Sequence, residues 1–138
     1  MNITIASKGT AFHAQYRPGN KYKFMMLDRY GFSTDLAAPS FISTQYATLS
    51  PTGLLVLEPG YAWDGASGPA IDTPDFIRGS AGHDALYQFI RLGLLDMSYR
   101  QSADSLLHRI ILEDDMYKLR AAWVYAAVRM AGRIYMKG

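Results

Sequence analysis

The stretch TPDFIRGSAGHDALYQFIRLG, residues 73–93, decides the fold, because it contains the start, interior and end of one long helix. Thr73 is a good helix cap, and Pro74 suits the first helical position. Gly93 is typical of a helix end. Glycine weakens a helix interior, so we expect another element to pack closely against Gly79.

Two more helices are predicted after this one. Ser98, followed three places later by Gln101, has the spacing of a capping box and predicts the start of the second helix. The third helix is predicted over residues 116–135. We expect its recurring apolar side chains to face the core, namely Leu119, Trp123, Ala126, Ala127 and Met130.

The chain before the first helix favours strands. Aromatic and β-branched residues predict strands at 22–27, 42–49 and 54–58, with a turn at 50–53. The predicted fold class is therefore α+β, with N-terminal antiparallel hairpins, a site loop and three helices. We expect one domain over residues 1–138, divided into about 1–60 (β-rich), 61–74 (site loop) and 75–136 (helical).

Composition excludes several classes of function. The 138 residues include no cysteine, so disulfides and thiolate chemistry are excluded. A formal net charge of +2 does not predict nucleic-acid binding. Charges interrupt every apolar stretch, and no transmembrane segment is predicted.

The sequence HDALY, residues 83–87, is the main candidate for chemistry. His83 and Tyr87 are four apart and share a helix face, while Asp84 points about 100° away. Asp104, in the next helix, lies among apolar residues and needs a partner, because an unpaired buried charge is costly. Antiparallel packing would bring Asp104 to His83 and Tyr87, fixing the imidazole tautomer and leaving the other ring nitrogen as a base.

The glycine-rich loop before the first helix supplies candidate metal ligands. Asp64 and Asp84, with backbone carbonyls from residues 64–68, would make the all-oxygen set that calcium prefers. A cation beside a histidine base favours hydrolysis, in which the base activates water and the cation holds the oxyanion.

These motifs resemble the core of the phospholipase A2 superfamily, especially its compact bacterial and fungal branch. The similar stretches are WDGAS (63–67), SAGHDALY (80–87) and SAD (102–104). The resemblance implies that His83 is the general base, Asp104 its partner and Tyr87 a supporting hydroxyl. It also implies a calcium site of Asp64, Asp84 and nearby carbonyls such as that of Gly65.

The chain from about residue 20 onward also resembles an uncharacterised family of small tailed-phage and prophage proteins. The shared features are a β-rich start, a G-x-x-x-D-G-A-S-x-P loop at 60–69, the His-Asp-x-x-Tyr helix, an Ala-Asp pair and a closing helix. This resemblance implies a phage origin, and a location in the host cytoplasm or the virion, without a known activity.

The leading interpretation is a phage-encoded, phospholipase A2-like, calcium-dependent ester hydrolase acting on phospholipid or a cell-envelope substrate. One alternative is a non-catalytic protein that binds other virion proteins or a host factor through a structural His/Asp/Tyr cluster. Another is cleavage of an amide in cell-wall material by the same base and cation.

The last helix carries a basic stripe of Arg129, Arg133 and Lys137, spaced by four residues. Such a stripe is more often the solvated face of a core helix, which we favour. The alternative is contact with an anionic bilayer surface.

Overall fold

A computed structural model describes residues 3–6, 10–65 and 72–135. The chain forms two compact units, Met1–Gly65 and Ala66–Gly138. The first unit contains the strands and the second the helices, which confirms the predicted α+β class. The predicted single-domain organisation stays a prediction.

The first unit consists of two four-stranded antiparallel sheets. One sheet has the strand order β1 (Ile3–Ala6), β2 (His13–Tyr16), β3 (Phe24–Met26) and β8 (Ala62–Trp63). The other has the order β4 (Tyr30–Ser33), β7 (Leu54–Leu57), β6 (Ala47–Leu49) and β5 (Ile42–Ser43). The predicted strand at 22–27 is therefore shorter than expected.

The region predicted as one strand at 42–49 is two strands. β5 and β6 pair with each other, with Ile42 opposite Leu49. The reversal between them is held by Thr44, whose backbone N–H and hydroxyl both donate to the Ala47 carbonyl, at 2.8 and 3.1 Å. A threonine that is favourable in a strand here stabilises a turn instead, because its hydroxyl offers the backbone a local partner. The predicted hairpin of β6 and β7 is confirmed.

An aromatic cluster connects the two sheets of the first unit. Phe12, which directly precedes β2, packs edge-on against Tyr30 of β4, with ring centroids 5.3 Å apart. It also contacts Trp63 of β8 at 6.3 Å. Both Phe12 and Trp63 are buried. Trp63 thereby anchors the chain immediately before Asp64.

The second unit contains three helices, α1 (Pro74–Arg91), α2 (Arg100–Glu113) and α3 (Lys118–Tyr135). Thr73 occupies the predicted cap position of α1, but its hydroxyl donates to the Asp75 carboxylate instead of capping the helix backbone. No helix in the described part of the chain is long and apolar enough to cross a membrane.

The capping box predicted for Ser98 and Gln101 is wrong. α2 begins at Arg100 and is preceded by a 3-10 turn at Met97–Tyr99. The cap of that turn is Asp96, whose carboxylate accepts the Ser98 backbone N–H at 2.9 Å. An aspartate two places earlier thus takes the capping role, as its preference for such positions allows.

α1 and α2 pack antiparallel through a close contact at Gly79. A Cβ atom at Gly79 would lie 2.8 Å from Leu107 Cδ1 and 3.2 Å from Ile111 Cγ2. The expected close neighbour of Gly79 is thus α2. Arg78, also on α1, is buried and binds the carboxylates of Glu113 at 2.9 Å and Asp114 at 3.1 Å. These contacts fix the start of α1 against the end of α2.

α3 contributes a different face to the core than predicted. Over residues 118–132, the buried apolar side chains are those of Ala121 and Val124, with Val128 partly buried. They pack against a cluster of Phe76, Leu107, Ile111 and Met116. The expectation that α3 turns Leu119, Trp123, Ala126 and Met130 inward is wrong, because all four are exposed, and Ala127 is half-buried. Apolar residues recur on both faces of α3, so periodicity alone did not decide between them.

Candidate functional site

A fully buried carboxylate, that of Asp104 on α2, is the centre of the candidate site. Its Oδ1 accepts from His83 Nε2 at 2.6 Å and from the Tyr87 hydroxyl at 2.6 Å. Its Oδ2 accepts from Arg129 Nη1 on α3 at 2.9 Å. The predicted meeting of His83, Tyr87 and Asp104 is confirmed as a contact, and all three helices of the second unit contribute to it.

The antiparallel packing of α1 and α2 explains why these side chains meet. His83 and Tyr87 lie one turn apart on the face of α1 that covers α2, and their ring centroids are 4.1 Å apart. One oxygen of Asp104 therefore reaches both donors. The ring of His83 packs against that of Tyr87 at an interplanar angle of 37° and is bound at one nitrogen, so its orientation is fixed from two sides.

The charge state of Asp104 determines the tautomer of His83. Burial favours the neutral acid, but the hydrogen bonds from His83, Tyr87 and Arg129 outweigh it, and the pKa of Asp104 lies below its usual value. An ionised carboxylate can only accept hydrogen bonds, so His83 Nε2 carries the proton. In the neutral ring, Nδ1 is then the basic nitrogen.

Neighbouring carboxylates also raise the pKa of the His83 imidazole. Burial lowers the pKa of His83, but hydrogen bonding to Asp104 and the nearby Asp84 carboxylate raise it more, so the net pKa lies above its ordinary value. His83 Nδ1 is 3.8 Å from Asp84 Oδ1, which is beyond hydrogen-bond length. Burial and the Asp104 charge raise the pKa of the Tyr87 hydroxyl, which therefore stays protonated as a donor.

Arg129 is a member of the site that the sequence analysis missed. The sequence placed it in a solvated basic stripe, and that expectation is wrong for Arg129, because its side chain is 29% exposed and paired with Asp104. Its backbone carbonyl also accepts from Arg100 Nη1 at 3.0 Å. The sequence did contain a signal for Arg129: no cation had been assigned to Asp104, and a buried carboxylate needs a cation or several hydrogen-bond donors.

A glycine of α3 allows this close approach. A Cβ at Gly132 would lie 2.5 Å from the Tyr87 hydroxyl and 2.5 Å from Arg100 Nη1. Any larger residue would have to displace one of these groups. A glycine inside the last helix is thus the second sequence signal for a packed polar cluster, and it was not used.

The predicted calcium ligands are distributed over both units. Asp84 belongs to the second unit, and its side chain is 32% exposed. Asp64 and Gly65 directly follow β8 in the first unit, where Asp64 is exposed and Gly65 has a φ of 80°. The other predicted carbonyl donors, those of residues 66–68, lie outside the described residues. The expected convergence of Asp64 with Asp84 stays a prediction.

The side chains of the described residues do not gather into a metal-binding group. Within residues 3–6, 10–65 and 72–135, no group of three or more histidine, aspartate or glutamate side chains could hold a metal ion. Asp84 is the one predicted side-chain ligand in the helical unit, whereas calcium takes about six to eight oxygen ligands. The described residues of that unit therefore do not complete a calcium site by themselves.

Fold and site together define an α+β protein in which three helices build a His–Asp–Tyr–Arg cluster around a buried carboxylate. No protein-family model, curated protein or solved structure matches the chain.

Proposed function

We propose that this chain is a hydrolase that cleaves carboxylic esters with His83 as the general base. The observation that carries the proposal is the 2.6 Å bond between His83 Nε2 and the buried Asp104 carboxylate. This bond fixes the tautomer in which Nδ1 has the lone pair. A histidine held by a carboxylate at one nitrogen and basic at the other is the usual arrangement for removing a proton from water.

In the proposed reaction, His83 Nδ1 accepts a proton as the oxygen of a water molecule bonds to the ester carbonyl carbon. The resulting imidazolium is stabilised by Asp104, which keeps its negative charge. The tetrahedral intermediate then expels the alcohol, which takes the proton from Nδ1. The products are a carboxylic acid and an alcohol, and the imidazole returns to its neutral form.

The resemblance of residues 63–67, 80–87 and 102–104 to the phospholipase A2 superfamily supports an ester, and a phospholipid in particular, as the substrate. The second resemblance supports a phage-encoded protein that acts in the host cytoplasm or in the virion. A peptidase or amidase action on cell-wall material would use the same base on an amide, so the substrate screen includes both bond types.

Calcium dependence remains part of the proposal on sequence grounds alone. Its residues are Asp64, Gly65 and Asp84, and the role of the cation would be to stabilise negative charge on the carbonyl oxygen. Because the described residues do not complete such a site, the proposed reaction steps involve the side chains alone. Activity measured in calcium and in excess chelator tests this part separately.

A second candidate is a non-catalytic protein in which the same cluster holds the three helices together. The observation that favours it is the burial of His83, which is 7% exposed, beside an Asp104 carboxylate with both oxygens occupied. A buried carboxylate with both oxygens satisfied in this way rigidifies and specifies a core. In that case the partners would be other virion proteins or a host factor.

Replacement of His83 by Gln tests the proposal against this second candidate. Purified protein is assayed with phospholipid vesicles and with a panel of soluble esters and amides. We expect at least about a hundredfold loss of turnover in His83→Gln, the usual contribution of a general base. His108→Gln is the matched control, because His108 is on the same helix as Asp104 but packs against Tyr125.

Circular dichroism at a fixed temperature verifies that both variants are folded. Turnover that survives in folded His83→Gln would contradict the base mechanism. Absence of turnover in the wild-type chain on all substrates, with and without calcium, would favour the structural role of the cluster.

A further inference from the structure

The outward face of α3 carries a row of exposed apolar side chains. Leu119 is 87% exposed, Trp123 50% and Met130 69%. With the exposed Ala122 and Ala126, these residues recur at the three- and four-residue spacing that places side chains on one helix face. The opposite face is the one that packs into the core, so this row is not needed for folding.

A row of large apolar side chains on a helix that also carries basic residues is the pattern by which amphipathic helices bind a surface. The row from Leu119 to Met130 is about 17 Å long and one side chain wide, on the order of 200 Å². A stable contact between two proteins buries about 800 Å² on each. The row is too small to hold a second copy by itself.

The charge of the same segment points to the chemistry of the partner. Residues 116–138 include five basic residues and no acidic residue. Arg120 and Arg129 pair with Asp75 and Asp104 of the same unit. The other basic residues in the sequence of this segment are Lys118, Arg133 and Lys137. A two-fold contact between copies would bring these like charges together. An anionic surface complements them.

We propose that the outward face of α3 docks on the surface of a bilayer that contains anionic phospholipids. Leu119, Trp123 and Met130 enter the boundary between headgroups and acyl chains, and the basic residues bind the lipid phosphates. The helix lies in the plane of the surface and does not span it. The biological role of this docking rests on the proposed function, hydrolysis of phospholipid. Lipid binding itself can be measured without turnover.

The two tryptophans give a direct test. Trp63 is buried and Trp123 is half-exposed, so a change in tryptophan emission on adding vesicles reports mainly on α3. With vesicles of phosphatidylglycerol and phosphatidylcholine, we expect emission to move to shorter wavelength and the protein to sediment with the lipid. With phosphatidylcholine alone, or in about 1 M salt, where the screening length is about 3 Å, both responses should weaken strongly.

Variants locate the binding surface. The double change Leu119→Ser with Met130→Ser retains Trp123 as reporter and should weaken vesicle binding at least about tenfold. Phe41→Ser is the matched control, because Phe41 is 60% exposed in the first unit. The proposal would be overturned if the double variant retained vesicle binding. It would also be overturned if neutral vesicles gave the same response as anionic ones, or if anionic vesicles gave no response. So would an emission shift that needs no lipid and grows with protein concentration, since this would identify a second copy as the partner.

Discussion

Replacing Asp104 by Asn removes the central charge of the cluster while retaining its shape. Asn has one oxygen and one NH₂ group, whereas the three groups around Asp104, on His83, Tyr87 and Arg129, all donate. Whichever way the amide turns, its NH₂ group faces a donor. The structure therefore predicts a loss that a surface Asp→Asn change would not cause.

The magnitude follows from burial and from the number of lost bonds. Removing one partner of a buried ion pair costs about 3–5 kcal/mol. Asp104 is fully buried, but the Arg129 side chain is 29% exposed and can be partly hydrated, so we expect the lower end, about 3 kcal/mol. Urea unfolding followed by circular dichroism at 222 nm measures this loss in the helical unit.

Asp28→Asn is the control, because Asp28 forms an exposed pair with His13, and such a change stays within about 0.5 kcal/mol. If Asp104→Asn were also within about 0.5 kcal/mol of the wild type, the cluster would contribute little to stability and the hydrogen-bond network described above would be refuted.

Three further predictions concern the cluster and the core. The stability difference between wild type and Asp104→Asn should be largest between about pH 4 and 6.5. The difference should shrink at lower pH, as the pH falls through the depressed pKa of Asp104, and at higher pH, as the pH rises through the raised pKa of His83. A stability difference that is independent of pH from 3 to 9 would contradict this. Arg129→Met should cost about 1–2 kcal/mol because Asp104 Oδ2 loses its donor, and Arg129→Lys should restore part of it in the same urea titration. Leu107→Ala should cost about 2–5 kcal/mol, while the identical change at the exposed Leu119 should stay within about 0.5 kcal/mol; similar losses at both would refute the assigned face of α3.

The sequence was informative wherever two local signals agreed. Pro74 and the cap position at Thr73 predicted the start of α1 correctly, and a buried carboxylate in need of a partner predicted the contact of Asp104 with His83. Gly79 correctly indicated a close neighbour, because a glycine inside a helix has an energetic cost that packing must offset.

The sequence was misleading where one pattern allowed two arrangements. α3 is apolar on both faces, so the choice between Val124 and Trp123 as the inward residue required the shape of the core. The sequence placed Arg129 in solvent because arginine usually lies there, and only the position of Asp104 makes Arg129 the partner of a buried carboxylate. Residues 42–49 have strand composition throughout, and the turn at Thr44 depends on side-chain bonds that composition does not reveal.

The central claim is that Asp104 fixes His83 with the proton on Nε2 and leaves Nδ1 as the base. The ¹⁵N chemical shifts of the His83 ring, recorded at a pH where the ring is neutral, distinguish the two tautomers directly. We expect a protonated Nε2 and a bare Nδ1 in the wild type, with mixed tautomers in Asp104→Asn. A neutral ring with its proton on Nδ1 would contradict the account.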